Sequence, residues 1–548
     1  MAGVSVLIVA AVVVAVLLSK GEASSGSDSD AQFSDFVVVG AGTAGCALAA
    51  KLCSALPNHH ITLLERGAPR SDESEFLVEA PRNLFPLWSD RNVTQAYPSE
   101  PDEGIQNRST TVLAGTTAGG SSAINGMQWT VPLPGSVEQW RINGLTTRSA
   151  SSFYQRAYQT VEFDEPKFPL QYADDYIRAA VRAGFPQSTN PFVQPDRAVW
   201  QNRLAIDGTF RRSDSCSAYL KPVMNSVCAR NLQLVLSQTA SRILFERSGE
   251  DGGRLKAVGV QTLDTFSPNI TRSFYARRNV VLSAGPYESA HLLQLSGVGP
   301  KSVLDAANIS QILELPVGQT CVSRASASVA SRYTGVRDEP ANNMTLVNSQ
   351  AERDRFETGR GGILATPVSA ANGRVGGDGY FGAGFVPFFP GPREFRTQCF
   401  HNGRTLASVT TVSDDPFDTP KVKLNLLAND NEVGQLVSCL QQVLDIHRAL
   451  PPEFNATVTE PVGGVVTEAY VRETANTGAH FVGCCAVDDV VDGDLNVLRV
   501  DGLKVVDASV IREMPKSAGP AASVYMIAEF MAERMSSEVL AEERTMRW

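Results

Sequence analysis

The sequence of 548 residues has no dense run of lysine or arginine, and its formal net charge is −10. Binding nucleic-acid phosphates needs concentrated positive charge, so we expect no nucleic-acid partner, and a strongly anionic substrate is disfavoured on the same ground. Histidine is scarce: the six histidines are scattered, and neither they nor the cysteines show the paired spacing of a metal site. No G-x-S-x-G motif lies at a strand-to-helix turn, which argues against a Ser/His/Asp hydrolase.

Long apolar runs are also missing, apart from one at the N-terminus. Residues 4–18 are almost all apolar, a length that is short for a membrane span of about 20 residues and typical of a signal peptide. Gly21 and Ala23 supply the small side chains of a cleavage site, so we predict a signal peptide over residues 1–23 and a polar linker over residues 24–34. The alternative is an uncleaved signal anchor, because the charged leader is missing, and only then would a membrane be a partner.

Two further features agree with secretion. The chain carries six N-x-S/T glycosylation sequons, at Asn92, Asn107, Asn269, Asn308, Asn343 and Asn455. In an oxidising compartment Cys216 and Cys228, twelve residues apart in a loop-like stretch, could form a disulfide. Cys46 and Cys53 lie on the apolar face of a predicted helix, and we expect them to be packed thiols. We therefore predict an extracellular glycoprotein.

A glycine-rich loop lies between a predicted buried strand, residues 35–39, and an Ala/Leu-rich predicted helix, residues 46–56. In this context a G-x-G-x-x-G motif holds a dinucleotide, because its glycines let the backbone approach a pyrophosphate at the helix N-terminus. The predicted binding residues of this loop are Gly40, Gly42, Thr43, Ala44 and Gly45. A second predicted strand, residues 60–64, ends at Glu65, whose carboxylate can accept both ribose hydroxyl protons and would repel a 2′-phosphate. FAD or NAD is therefore favoured over NADP.

A second glycine- and serine-rich loop, residues 114–127, distinguishes between these two dinucleotides. It resembles the GGSSxxN loop of the glucose–methanol–choline (GMC) oxidoreductases, which lies along the pyrophosphate and flavin of FAD in that family. The resemblance implies FAD contacts for Gly119, Gly120, Ser121, Ser122, Asn125, Gly126 and Met127. Some members attach the flavin covalently through a histidine just before that asparagine. This chain has Ile124 there, so the resemblance implies non-covalent FAD.

The middle of the chain continues the resemblance, with one departure. A predicted strand over residues 279–285 and a predicted helix over residues 289–299 look like the second GMC signature. Residues 231–245, predicted as strand, turn and strand, correspond to the family segment that touches adenine, which implies an FAD contact at Ser241. The family's LPxVGxNLxDH stretch is LPVGQTC at residues 315–321, without the Asn-Leu or the closing Asp-His. We expect a local rearrangement near the flavin edge at that point.

The last hundred residues resemble the catalytic end of the family. Residues 479–485 are similar to its His-Pro-Val-Gly-Thr-Cys stretch, which gives His480 the position of the first active-site histidine. Residues 503–509 and the closing helix from Met526 follow at the family's spacing. The FAD contacts implied by this part of the chain are Asp507, Ala508, Pro520 and Ala521.

The chemistry that the resemblance implies is hydride transfer from an alcohol carbon to flavin N5. A neutral imidazole with a pKa near 6.5 suits the base that takes the hydroxyl proton, and we assign this role to His480. The family's second catalytic residue, a His or Asn, falls on Gly519, which has no side chain. The enzyme would then be slower, would use Ser517, Lys516 or water instead, or would have a changed reaction.

Three functions stay open from the sequence. The first is an FAD-dependent oxidoreductase that acts on an uncharged or lipophilic alcohol, with O2 or another carrier as electron acceptor. The second is a non-oxidative relative, similar to hydroxynitrile lyases or to light-driven fatty acid decarboxylases. The third is a secreted flavin-binding protein with little catalysis.

The resemblance covers nearly all of the mature chain and implies the GMC fold. This fold joins an α/β FAD-binding domain of Rossmann type with an interleaved α+β substrate-binding domain built on an antiparallel sheet. We assign residues 35–130, 200–315 and 470–540 to the FAD-binding domain, and residues 131–199 and 316–469 to the substrate-binding domain.

Overall fold

The computed structural model describes residues 32–546, apart from 191, 193–194, 248–253, 338–339, 377–378, 386–392 and 402–404. The predicted signal peptide and most of the predicted linker lie outside the described residues. The last three linker residues belong to the first strand, which begins at Gln32. None of the helices described is long and apolar enough to cross a membrane. Over the same residues, no group of His, Cys, Asp and Glu side chains could hold a metal ion.

The described residues form 21 β-strands and 13 α-helices. The strands are β1 (Gln32–Val39), β2 (Ile61–Leu64), β3 (Thr94–Pro98), β4 (Thr111–Gly115), β5 (Phe163–Asp164), β6 (Arg197–Gln201), β7 (Leu204–Ala205), β8 (Leu232–Val235), β9 (Gln238–Arg247), β10 (Leu255–Asp264), β11 (Ser267–Leu282), β12 (Cys321–Arg332), β13 (Ser369–Gly376), β14 (Gly379–Phe385), β15 (Glu394–Phe400), β16 (Leu406–Thr410), β17 (Lys421–Lys423), β18 (Thr457–Glu460), β19 (Asn476–Val482), β20 (Val500–Asp501) and β21 (Leu503–Val505). The α-helices are α1 (Thr43–Ala55), α2 (Asp72–Glu79), α3 (Leu84–Ser89), α4 (Thr147–Thr160), α5 (Ala173–Arg182), α6 (Lys221–Met224), α7 (Gly285–Leu295), α8 (Lys301–Ala306), α9 (Met344–Val347), α10 (Gln350–Glu357), α11 (Asp430–Arg448), α12 (Glu468–Thr474) and α13 (Ala521–Met546).

The first sheet has a parallel centre and carries the glycine-rich loop. Its strand order is β20-β10-β11-β1-β2-β8, with β21 beside β11 and β9 beside β10. Strand β1 is parallel to both β2 and β11, and its residues from Phe36 to Val39 are at most 5% exposed. A continuous apolar run is typical of a parallel strand that is buried on both faces. The predicted Rossmann-type half of the fold is confirmed.

The second sheet is antiparallel and has the strand order β17-β16-β12-β15-β14-β13-β6, with β18 and β19 also beside β12. Side chains along β15 alternate between the two faces of this sheet, and one of these faces forms a wall of a cavity. Cys399 faces helix α11, where it forms a disulfide with Cys439. Arg396, Gln398 and Phe400 alternate with the buried residues of this strand and line a cavity. The predicted antiparallel half of the fold is therefore also confirmed.

Three elements make contacts across the domain boundaries that we predicted. Strand β19 carries His480 and pairs with β12 in the antiparallel sheet, although we assigned residues 470–540 to the FAD-binding domain. Strand β6 spans the predicted boundary at residue 199 and pairs with β13. Helix α4 packs on α13, where the hydroxyls of Tyr154 and Ser523 are 2.9 Å apart. Pairing between segments that are distant in sequence leaves little local signal, which is why the pattern missed it.

Three disulfides join distant segments: Cys53–Cys228, Cys321–Cys484 and Cys399–Cys439. The predicted bridge between Cys216 and Cys228 is wrong, because the end of helix α1 brings Cys53 to a Cα–Cα distance of 5.9 Å from Cys228. The prediction of a packed thiol is confirmed for Cys46 and wrong for Cys53. The free cysteines are Cys46, Cys216 and Cys485, and all three are buried.

Candidate active site

A cavity of about 820 Å³ is lined by residues of both sheets and by both glycine-rich loops. The predicted site residues that line it are Gly40, Gly42, Thr43, Ala44, Glu65, Gly120, Ser121, Asn125, Gly126, His480, Asp507, Ala508, Gly519, Pro520 and Ala521. The predicted site residues that are not in its lining are Gly45, Gly119, Ser122, Met127 and Ser241. Segments more than 400 residues apart therefore meet at one cavity.

The two glycine-rich loops contact each other at the cavity wall. A Cβ atom added to Gly120 would lie 2.6 Å from Cα of Gly42, so a side chain there would push the loops apart. Gly45 serves a different contact: its Cβ would lie 1.9 Å from the carbonyl oxygen of Gly40. These close approaches leave bare backbone at the cavity surface where helix α1 begins. A pyrophosphate binds in such a place because the helix N-terminus offers free N–H groups.

Two buried carboxylates also line the cavity. Glu65 follows β2 and accepts hydrogen bonds from the backbone N–H of Ala41 at 3.0 Å and of Gly67 at 2.9 Å. Asp507 accepts one from the N–H of Gly285 at 2.9 Å. Burial raises the pKa of both carboxyls, and these hydrogen bonds oppose the rise. Glu65 can therefore receive ribose hydroxyls, and the glycine groove and this carboxylate together fit FAD.

Some predicted contacts hold the loops rather than line the cavity. The Ser122 hydroxyl donates to the carbonyl of Gly119 at 2.6 Å, which stiffens the second glycine-rich loop. Ser241 does not line the cavity, and its hydroxyl donates to the carbonyl of Gln261 on the neighbouring strand β10 at 3.1 Å. The cavity wall at this point is formed by Gln238, Thr239 and Ala240 instead.

His480 sits at the cavity wall with different neighbours on its two ring nitrogens. On one side, a Cβ atom added to Gly519 would lie 2.6 Å from Nε2. On the other side, Nδ1 accepts a hydrogen bond from Arg324, with Nε at 3.0 Å and Nη2 at 2.6 Å. A neutral imidazole that accepts at Nδ1 carries its hydrogen on Nε2. The ring therefore presents an N–H group to the cavity.

The pKa that we expected for His480 is wrong. Burial, and after it the positive charge of Arg324, lowers the pKa of the imidazole well below its ordinary value of 6.5. The ring is neutral at neutral pH, as a base must be, but its cavity-facing nitrogen already carries a hydrogen. In this arrangement Nε2 donates a hydrogen bond and has no lone pair with which to take a proton.

Arg324 is the residue of this site that sequence reasoning missed. It lies in β12, is 0% exposed, and donates from Nη1 to the carbonyl of Ser517 at 2.8 Å and from Nη2 to the carbonyl of Ala518. Burial lowers the pKa of its guanidinium to about 9. The sequence contains a sign of this arginine where residues 315–321 depart from the family's LPxVGxNLxDH stretch. When the two sequences are aligned at their shared Val-Gly, the family's closing Asp-His corresponds to Ser323 and Arg324.

Neither side chain suggested as a substitute for the absent one at Gly519 lines the cavity. The hydroxyl of Ser517 donates to the carbonyl of Gly519 at 2.9 Å and is fully buried in the loop. Lys516 contributes its carbonyl, which accepts from Nη2 of Arg374 at 2.8 Å. Two arginines from the antiparallel sheet thus hold the loop that carries Gly519.

Comparison with known proteins agrees with this architecture. Residues 34–323 and 404–528 match the N- and C-terminal family models of GMC oxidoreductase. An oxygen-dependent choline dehydrogenase of Vibrio vulnificus is 24% identical over 94% of this chain and 97% of that protein. A chloroplastic fatty acid photodecarboxylase of Chlamydomonas reinhardtii is 25% identical over 90% of this chain and 89% of that protein. A structure of formate oxidase from Aspergillus oryzae has a TM-score of 0.80 at 20% identity, over 93% and 99% of the two chains, and has the same fold.

Proposed function

The chain belongs to the GMC oxidoreductase family, and on that premise we propose that it binds FAD non-covalently and oxidises an uncharged or lipophilic alcohol. When bound, FAD supplies the acceptor for the hydride that leaves the alcohol carbon. The observation that carries the proposal is the N–H group of His480 at the cavity wall, beside the bare backbone of Gly519. O2 or another carrier then takes the electrons.

The cofactor part of the proposal rests on three features. The glycine groove at the start of α1 suits a pyrophosphate, and Glu65 suits ribose hydroxyls. Ile124 lines the cavity in the position where some relatives have the histidine that bonds to flavin. An aliphatic side chain cannot form that bond, so FAD would dissociate when the protein unfolds.

The absent side chain at Gly519 makes room for the His480 imidazole. A Cβ atom at this residue would lie 2.6 Å from Nε2, which is too close for a carbon atom, so the ring packs against the glycine backbone. An alcohol oxygen in the cavity beside the ring would accept from Nε2, and its hydroxyl proton would pass to water. Oxidation then converts the alcohol to the corresponding aldehyde or ketone, with loss of one hydride from carbon and one proton from oxygen.

A lipophilic substrate is supported by the apolar part of the cavity lining. This part includes Leu84, Phe85, Trp88, Leu113 and Leu292. A hydrocarbon chain packed there would be removed from water, and each buried CH2 group contributes about 0.8 kcal/mol to the free energy of binding.

A second candidate is light-driven decarboxylation of a fatty acid, in which the carboxylate and a proton give an alkane and CO2. The observation that favours it is the N–H donor of His480 with the guanidinium of Arg324 behind the ring, an arrangement that suits a carboxylate and includes no base. The Chlamydomonas relative bears the name of this reaction.

The test is anaerobic mixing of the FAD-loaded protein with a panel of alcohols while the absorbance of oxidised flavin is followed. We expect some lipophilic alcohol to bleach the flavin. If no alcohol does so, fatty acids under blue light are tested for release of CO2 and alkane. If the protein is yellow but inactive in both assays, the remaining interpretation is a flavin-binding protein with little catalysis. A colourless protein that takes up no FAD would overturn the proposal.

We also propose that the protein is extracellular and glycosylated. The apolar run over residues 4–18 supports secretion, and the asparagines of all six sequons are exposed. Removal of N-glycans from protein expressed in a secreting host should increase its mobility on a gel, and unchanged mobility would count against glycosylation.

A further inference from the structure

The strands that carry Arg324 and His480 are held together on both sides of this pair. Strand β12 pairs with β19 through Val322 and Val482 and through Ser323 and Phe481, after which the register shifts. Arg324 stands at that shift. The Cys321–Cys484 disulfide joins the same two segments close by. The contact between guanidinium and imidazole is therefore built into the sheet.

The hydrogen-bond pattern around the imidazole allows one neutral tautomer. Arginine has N–H donors and no acceptor, so the nitrogen facing Arg324 must supply a lone pair. If Nδ1 carried the hydrogen, two donors would face each other in a buried site, and both would lose a partner. The hydrogen is therefore on Nε2, on the side of the ring that faces Gly519.

Other polar groups surround this pair without changing the conclusion. His401 accepts a hydrogen bond from the N–H of Ala325 through Nε2 at 3.0 Å, and burial together with the charge of Arg324 lowers the pKa of His401 to about 3. Tyr380 lies within electrostatic range of Arg324, and burial raises the pKa of this phenol. Both side chains are thus uncharged at neutral pH. The guanidinium of Arg324 contacts Nδ1, on the opposite side of the ring from Nε2, and Arg396 also lines the cavity.

We infer that Arg324 is a positioning residue that fixes the His480 tautomer, and that the pair recognises an oxygen anion of the substrate. This inference rests on the proposed function for its substrate and names the class: a carboxylate, or an alcohol bound as its alkoxide. An N–H donor backed by a buried cation stabilises an oxygen anion much more than a neutral hydroxyl, because charge-assisted hydrogen bonds are the stronger ones. The net charge of −10 disfavours an anionic substrate, but this local arrangement overrides it.

Arg374 provides a matched control. It also belongs to the antiparallel sheet, and it also holds the loop before α13, through the carbonyl of Lys516 at 2.8 Å. Its Nη2 group donates to the carbonyls of Val131 and Lys516. A role limited to holding the loop predicts the same behaviour for Arg324→Lys and Arg374→Lys, and for the two methionine variants. A role in fixing the tautomer predicts that only changes at Arg324 affect the imidazole.

The first experiment is 15N NMR of the FAD-loaded protein labelled in its histidines, with the His480 signals assigned by comparison with His480→Gln. We expect hydrogen on Nε2 and a bare Nδ1 in the wild type, in Arg324→Lys and in both Arg374 variants. Arg324→Met should give a mixture of tautomers. Hydrogen on Nδ1 in the wild type, or an unchanged spectrum in Arg324→Met, would overturn the inference without any assay of activity.

The second experiment measures ligand binding in the dark through the change in flavin absorbance. Alkanoates are compared with alkanamides of equal length, and alcohols are compared with fluorinated alcohols whose hydroxyls are more acidic. We expect an alkanoate to bind on the order of tenfold more tightly than its amide in the wild type and in Arg374→Lys, and this preference to be lost in Arg324→Met. Tighter binding of the fluorinated alcohols, with an affinity that rises with pH, would identify the alkoxide as the natural anion.

These results separate the inference from the proposed function. If no alcohol reduces the flavin but the alkanoate preference depends on Arg324, the oxidase proposal fails and the anion site stands. The opposite result is that alcohols reduce the flavin, that their affinity does not depend on the acidity of the hydroxyl, and that alkanoates bind no more tightly than amides. In that case the anion site fails and the oxidase proposal stands.

Discussion

Nε2 of His480 lies 2.6 Å from the position that a Cβ atom on Gly519 would occupy, and Cε1 lies 3.2 Å from it. A contact of 2.6 Å between these atoms would be a clash, so the ring position requires a glycine at 519. The sequence suggested that this glycine marks a lost catalytic side chain. The structure gives it a positive role, because only a residue without a side chain lets the His480 ring pack at this position.

Restoring the family's side chain should therefore impair the enzyme. In Gly519→Asn the new side chain must displace the imidazole or fill the substrate's space. We expect flavin reduction by the best alcohol to slow by about a hundredfold, since a displacement of about 1 Å in a catalytic group has effects of that size. Stopped-flow absorbance measures the rate, and the FAD content should stay near that of the wild type.

The control for this variant is Gly434→Ala in the middle of helix α11, where an added Cβ meets nothing within 4 Å. Alanine stabilises an exposed helix by up to about 1 kcal/mol relative to glycine, so this variant should keep its rate. A Gly519→Asn protein as fast as the wild type would mean that the second family residue is functional here and that His480 can move.

FAD binding should depend on the contact between the two glycine-rich loops. In Gly120→Ala the new methyl group would lie 2.6 Å from Cα of Gly42, at a residue with φ of 52°. Overpacking of this kind costs about 1–3 kcal/mol, so we expect FAD to bind about tenfold or more weakly. Titration of the unfolded and refolded apoprotein with FAD, followed by fluorescence, gives the affinity.

Gly208→Ala is the matched control, because an added Cβ there meets nothing within 4 Å and its backbone angles are ordinary. Its FAD affinity should equal that of the wild type. If Gly120→Ala also binds FAD normally, the second loop does not form the cofactor groove and the cavity must hold FAD in another way.

The parts of the site that the sequence predicted are local in the chain. The strand, the glycine loop and the helix that contains Gly45 are contiguous, so their spacing alone indicates how the backbone turns. The two halves of the fold were predictable for the same reason, since buried parallel strands and alternating antiparallel strands have different apolar patterns.

The parts that escaped prediction are contacts across long separations. Arg324 and His480 are 156 residues apart, and their contact exists only because β12 and β19 pair. Cys53 and Cys228 are 175 residues apart, so the shorter spacing of Cys216 and Cys228 was misleading. Hydrogen-bond partners decide the tautomer and the pKa of an imidazole, and these partners were unknown before the fold.

The disulfide pattern gives a third prediction. Peptide mapping without reduction should yield Cys53–Cys228, Cys321–Cys484 and Cys399–Cys439, with three cysteines alkylated only after unfolding. Loss of a native disulfide typically destabilises a protein by about 2–5 kcal/mol. We expect the Cys321→Ala/Cys484→Ala protein to lose both thermal stability and rate, because that disulfide joins the strands of Arg324 and His480.

The Cys399→Ala/Cys439→Ala protein is the comparison, because its disulfide joins β15 to α11 on the side of the strand facing away from the cavity. It should lose thermal stability while its flavin is reduced at close to the wild-type rate below the unfolding temperature. A peptide linking Cys216 to Cys228 would contradict the assigned pattern.

Buried histidines should make the protein less stable in mild acid. His447 lies between the hydroxyls of Ser331 at 2.8 Å and Thr397 at 2.9 Å, and burial lowers its pKa to about 3. In the unfolded chain a histidine takes up a proton near pH 6.5. Between these two values the unfolded state binds more protons than the fold, so stability falls as the pH decreases from 6.5 towards 3.

The size of this effect is about 1 kcal/mol for each such histidine between pH 6.5 and 5.5. His447→Gln removes one titrating group. We expect this variant to be less stable than the wild type at pH 7.5, and we expect the difference in urea midpoint between the two proteins to be smaller at pH 5.5. His60→Gln, at an exposed position, controls for the loss of an imidazole that the fold does not bury. A difference in midpoint for His447→Gln that is equal at both pH values would mean that the pKa of this imidazole is the same in the fold as in the unfolded chain, and a difference that is larger at pH 5.5 would mean that the fold favours the protonated ring.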